Sequence, residues 1–216
     1  MHTSPAEDPA IVSHVLAHPL RKLSNDAIGA YAGSAIFTIG DPQDYQHFLP
    51  RVLELAVTGG GWVGGEAWAI ANKLVYARWE TWELSQKNAV FAFFADAFRW
   101  AIDARSEQWS EPKSWLYGSV KLGLELQPLL DDWRASGTPQ AAYHLADFYS
   151  YWTRANDEGE LIYWDGVVTR VWQEVGLWLH DPVTRLQIAG AMSEIDDHER
   201  WALEAALVAI DGSSRH

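Results

Sequence analysis

The stretch TPQAAYHLADFYSYWTRA, residues 138–155, decides how this chain is read. Thr138 stands before Pro139, an order that suits a helix start. The threonine hydroxyl can accept a free amide hydrogen bond, and proline's fixed φ and missing N–H fit the first helical position. Behind that start Ala142, Leu145, Ala146, Tyr149 and Trp152 recur at helical spacing and share one face. The spacing predicts a helix over 139–155. The same device recurs at Asp8-Pro9, Asp41-Pro42 and Asp181-Pro182, each leading into a helix-compatible segment.

Working outward, helices are expected over 9–17, over 25–38 (opened by Ser24 and closed near Gly40) and over 42–57, with Pro50 ending or kinking the first part of the last. Residues 65–79 and 86–105 read as two more. A region from Pro112 to about Ala135 should break or bend near Gly118, Gly123 or Pro128. The last expected helices are 166–180, 182–194 and 197–210. Val168, Val171, Trp172, Val175, Trp178 and Leu179 share a face in the first of these. Trp201, Ala205, Val208 and Ala209 share one in the third. Strand-like alternation is scarce, with one brief extended candidate at Glu160 to Trp164. The reading is an all-α fold: one helical domain over 1–216, either a multi-helix bundle or a stack of antiparallel helix pairs. Residues 106–112 are its best internal seam, and 1–7 and 211–216 read as frayed tails.

Composition bounds the function classes. Of 216 residues 48% are hydrophobic and 13 are tryptophan, ample to bury a core, and the tryptophans read first as inter-helix packing. The formal net charge is −13, with −4 on the first 108 residues and −9 on the rest. Such a field repels a phosphate backbone, so nucleic acid is not expected as a partner, whereas a basic protein is electrostatically suited. There is no cysteine, which removes disulfides, thiolate catalysis and cysteine-ligated zinc, and fits a reducing compartment. The first ten residues lack the basic-then-apolar order of a secretory signal. The longest apolar run, Ala89 to Ala95, is too short to span a bilayer. The expected location is cytoplasmic, with no membrane contact.

Tyr31-Ala32, Thr38 to Gly40 and His47-Phe48-Leu49-Pro50-Arg51 followed by Leu53-Glu54-Leu55 form one recognisable pattern, continued by Asp131-Asp132-Trp133-Arg134 and His144-Leu145-Ala146-Asp147. This pattern resembles an uncharacterised family of bacterial all-helical proteins. The resemblance covers most of the chain. It implies a bacterial source and a helical fold, and it supplies no activity and no functional residues.

Several motifs carry possible chemistry. Gly59, Gly61 and Gly64 satisfy G-x-G-x-x-G, but a dinucleotide site needs that loop between a strand and a helix, and the preceding segment reads as helix. A glycine-rich interhelical turn is the better account, and no cofactor is expected. Asp44 with His47, His144 with Asp147, and Glu194 with His198 can each share a helix face. Each pair offers two ligands only, short of a di-metal or HExxH pattern, so no metal site is expected. His180-Asp181 fits a helix junction, the His near one C-terminus and the Asp capping the next start. His47 sits in HFLPR, where its ring can bond a carbonyl freed by Pro50 while Arg51 pairs with Glu54. His47, His144 and Asp147 are the candidates for catalysis, should a site be assembled from several helices.

The segment Trp79-Glu80-Thr81-Trp82-Glu83, with Tyr76 before it, is the candidate binding surface. At helical spacing the two tryptophans align, as do the two glutamates, and aromatic anchors flanked by acids suit a basic protein partner or a cation held by cation–π contact. The functional expectation is a non-catalytic protein-binding module with an acidic surface. Immunity-type neutralisation of a basic toxin is its specific version, and a hydrolase-like enzyme built from His and carboxylates is the competing class.

Overall fold

A computed structural model describes residues 1–58, 64–105, 111–158 and 169–213. Eleven α-helices are present among them: α1 (Pro9–Leu16), α2 (Asn25–Ser34), α3 (Pro42–Thr58), α4 (Ala67–Tyr76), α5 (Leu84–Asp103), α6 (Pro112–Leu122), α7 (Leu126–Ala135), α8 (Pro139–Glu158), α9 (Thr169–Leu179), α10 (Pro182–Gly190) and α11 (Asp197–Ser213). The described residues contain no strand, only isolated bridges of Ile39 with Thr3 and with Ala35. No helix among them is long and apolar enough to cross a membrane. The expected extended segment at 160–164 lies outside the described residues.

All four cap–proline starts form. Asp8 accepts the Ala10 amide at 2.9 Å, and Asp181 accepts that of Val183 at 2.8 Å. Thr138 accepts that of Ala141 at 3.1 Å. Asp41 and Asp44 cap each other, the Asp44 amide donating to Asp41 at 2.9 Å and the Asp41 amide to Asp44 at 3.1 Å. Each bond satisfies an amide that a helix's first turn leaves without a partner. Ser24 caps α2 in the same way.

α3 runs through Pro50 without ending. The proline is exposed, while Leu49, Val52 and Leu53 beside it are buried and hold the helix on the core. The region after Pro112 breaks at Gly123, whose φ of +103° is left-handed and ends α6. Gly118 instead lies inside α6, where a Cβ would come within 3.0 Å of the Ala67 carbonyl oxygen; the glycine lets α6 lie close on α4.

One continuous apolar cluster runs from Val15 in α1 to Ile210 in α11. α6 packs on α4 and α5, α11 and α10 pack on α8, and α5 touches α7 and α8 to join the two groups. Trp133 sits at the junction. Its indole N–H donates to the Ala141 carbonyl at 3.1 Å, and its ring meets Phe98, Phe148 and Trp178 at centroid distances of 5.7–5.8 Å. The faces expected for α8 and α9 point inward as read, Val168 lying outside the described residues and Val171 only half-buried. That of α11 does not. Trp201, Ala205 and Val208 face solvent, and Ala202, Leu203, Ala206 and Ile210 pack inward. The two sets are a single residue apart on the helix. The small side chains of Ala202 and Ala206 permit close approach to α8, which a tryptophan on that face would prevent.

Candidate functional site

α4 ends at Tyr76 because Arg78 adopts a left-handed φ of +54° and turns the chain into one 3-10 turn, Trp79–Thr81. This turn separates residues that helical spacing would align on one surface. Trp79 is buried, edge-on to Phe91 at 5.0 Å, and belongs to the core. Trp82 is half-buried against that core. Trp79 is therefore corrected from a surface anchor to a core residue, and the two tryptophans do not make an exposed pair. Tyr76, Glu80 and Glu83 do stay on the outside. Glu80 pairs with Arg78 at 3.5 Å, and its carbonyl accepts from Lys87 at 3.1 Å.

The aromatic partner of Tyr76 comes from elsewhere in the chain. Phe37 follows α2, in a tight loop where the Ile36 amide donates to the Ile39 carbonyl at 2.9 Å and the Thr38 amide to the Ser34 carbonyl at 3.0 Å. Ile36 holds a φ of +71°, an unfavourable conformation for a β-branched residue. That loop projects Phe37 outward, where its ring meets Tyr76 edge-on at 5.2 Å; the two residues are 57% and 58% exposed. Val75 and Leu84 are further exposed apolar side chains, on the same helix as Tyr76 and at the start of α5. Lys73 lies one turn before Tyr76, buried, with its ammonium 5.3 Å from the centre of the Phe37 ring.

Gly64, last of the glycine motif, has a φ of +87°, and a Cβ there would lie 2.6 Å from the Gly33 amide nitrogen. The glycine lets this turn rest against the end of α2. The Glu66 carboxylate accepts the Gly64 amide at 2.8 Å. Gly59 and Gly61 lie outside the described residues, and the segment before them is helix α3 where a dinucleotide loop needs a strand.

The expected catalytic candidates are split between two places. His47 is exposed, edge-on to Phe48 at 4.9 Å, and makes no bond to the carbonyl freed by Pro50 among the described residues. Arg51 does pair with Glu54 at 2.7 Å and also donates to the Leu23 carbonyl at 2.6 and 2.9 Å, tying α3 to the chain before α2. His144 and Asp147 share one face of α8, as spaced, and join charged residues of two other helices. Lys113 of α6 donates to Asp147 at 2.5 Å. Glu199 of α11, also buried, accepts from Gln140 at 2.9 Å. The His144 ring nitrogen Nε2 lies 2.7 Å from the Ala104 carbonyl at the end of α5. Burial holds the His144 imidazole below its ordinary range, outweighing that carbonyl and the nearby Asp147 and Glu199, so the neutral ring donates to Ala104 through Nε2. The polar contacts of this group tie helices together: α8 to the end of α5, α6 to α8, and α8 to α11. Among the described residues no three His, Asp or Glu side chains are placed to hold a metal ion.

Phe37, Val75, Lys73, Lys113 and Glu199 are the participants that sequence reasoning missed. Lys73 alone left a usable signal, since Ile70, Lys73, Leu74 and Ala77 follow the i, i+3, i+4, i+7 pattern of a buried face. The exposure of Phe37 follows from the backbone of Ile36, which has no signature in the residues themselves. The chain matches no protein-family model, no curated protein and no solved structure.

Proposed function

We propose that the protein is a binding module whose surface around Phe37, Val75 and Tyr76, edged by Glu80 and Glu83, docks a basic protein partner. The observation that carries this reading is the exposed edge-to-face pair of Phe37 and Tyr76. Two large rings from separate elements already pack on each other in water, so a partner covering them desolvates both with little further ordering. Burying such side chains contributes roughly 1.5–3 kcal/mol each. The net charge of −13 steers a cationic partner toward the molecule, and Glu83 is the acid at the edge that has no ion pair among the described residues. A basic toxin covered by its immunity protein is one pair of this kind. The hydrolase-like reading rests on His144, Asp147 and Glu199, whose polar atoms already serve as ties between helices.

A photo-crosslinking residue at position 76, with a second at the exposed Leu186 as control, identifies the partner in the cells of origin. The expected adduct forms at 76 and not at 186, with a basic protein whose purified form binds more weakly as salt rises. Phe37→Ala and Tyr76→Ala raise its off-rate, and Glu80→Gln with Glu83→Gln lowers its on-rate. Trp79→Ala instead costs about 3–5 kcal/mol of stability, as a core truncation does. Equal crosslinking at 76 and 186, or association indifferent to salt, sinks the reading.

A further inference from the structure

Residues 9–25 contain His14, His18, Arg21 and Lys22 and no Asp or Glu, the reverse of the balance in the whole chain, whose net charge is −13. This stretch folds around a cleft of about 370 Å³ between α1 and α2. Val15 and Leu23 are 1% and 0% exposed and fasten the two ends of the connection to the core. The residue before each, His14 and Lys22, lines the cleft, and His18 joins them from the chain that follows α1. All three are exposed, and among the described residues their side chains make no ion pair or hydrogen bond. Arg21 lines a different cleft, with Arg51 and Glu54. α2 contributes Asp26, Ala27 and Ala30, together with its capping Ser24, and α1 contributes Ile11.

We propose that this cleft binds a small carboxylate with an apolar body, such as an aromatic acid. Ligand pockets span about 300–1,000 Å³ and combine apolar side chains with a few polar groups, and the cleft has both the size and the make-up. Ile11, Ala27 and Ala30 offer the body an apolar surface. The Lys22 ammonium is a compact point charge, suited to a single carboxylate. The Ser24 hydroxyl accepts the Ala27 amide at 3.2 Å and keeps its own proton to donate.

Lys22 and Asp26 are the other titratable side chains on the lining, and their charges offset each other. The two histidines therefore set the sign of the cleft. Histidine is the side chain that gains its charge between pH 8 and 5, so acid makes the cleft cationic and tightens its hold on an anion. The cleft shares no residue with the surface around Phe37 and Tyr76.

In the test, benzoate, its neutral isostere benzamide and inorganic phosphate are each titrated into the full-length protein, up to about 10 mM. Backbone amide NMR shifts are followed at pH 5.5 and 7.5. Benzoate is expected to give saturable shifts at Ile11, Ala27 and Ala30. It should bind about fivefold more tightly at pH 5.5 than at 7.5, the effect of one added ion pair at contact distance in water. Benzamide should bind more weakly than benzoate at pH 5.5 and respond little to pH. Lys22→Gln weakens benzoate at both pH values and Asp26→Asn tightens it. The double variant His14→Gln with His18→Gln removes the pH dependence. These positions are exposed, and the amide spectra of the variants report whether each remains folded. Absence of saturable shifts at the cleft, benzamide equal to benzoate at pH 5.5, or phosphate binding as tightly as benzoate overturns the proposal. No partner is present, so the outcome is independent of whether the surface around Phe37 and Tyr76 docks a protein.

Discussion

His144 is buried as the neutral ring, donating to the Ala104 carbonyl, with Asp147 and Glu199 raising its proton affinity and Lys113 and burial lowering it. Burial prevails, so the folded chain binds a proton at this site less readily than the unfolded chain, where histidine titrates near 6.5. The unfolded state then holds more protons in the window below 6.5, and stability falls with pH there until the folded ring titrates. Above that window the contribution is complete. His144→Gln keeps an N–H donor for Ala104 and removes the titration. Urea unfolding at pH 7.5 and 5.5 is expected to show a smaller pH-dependent loss in this variant than in the parent. Equal losses would mean that His144 is protonated alike in both states.

The helices show where local rules suffice. Thr138 and the three Asp–Pro pairs start their helices because an acceptor beside an amide without a partner is a matter of neighbouring residues. The end of α6 at Gly123 was legible as one of three positions, since a left-handed residue suits glycine. α11 was legible as a helix but not in its orientation. Its two candidate faces are offset by one residue, about 100° of rotation, and the choice depends on how closely α8 approaches. Leu203→Ala is expected to cost about 2–5 kcal/mol, whereas Trp201→Gln, at a position 65% exposed, should change stability by no more than about 0.5 kcal/mol. Chemical denaturation of the two variants distinguishes the observed face from the one offset by a residue.

For the molecule as a whole, a net charge of −13 on 216 residues leaves a self-repulsion that folding concentrates. Moderate sodium chloride, from about 0.02 to about 0.2 M, should raise the melting temperature, since screening relieves long-range repulsion across a Debye length of about 10 Å at 0.1 M. A fall in thermal circular-dichroism melts would instead make ion pairs such as Arg185–Asp211 and Arg99–Asp132 the larger contribution. The sequence by itself determined the all-α class, the four capped starts, the inward faces of α8 and α9 and the pairing of His144 with Asp147 on one face. Each rests on residues within about three turns of one another, where backbone geometry dictates proximity. Only the tertiary structure decided that Trp79 is core while Tyr76 is surface, that Phe37 meets Tyr76, that Lys73 lies beneath that ring, and that Lys113 and Glu199 join His144. These contacts join residues far apart in the chain, and the left-handed backbone at Ile36 and Arg78 that positions them falls on residue types that do not favour it.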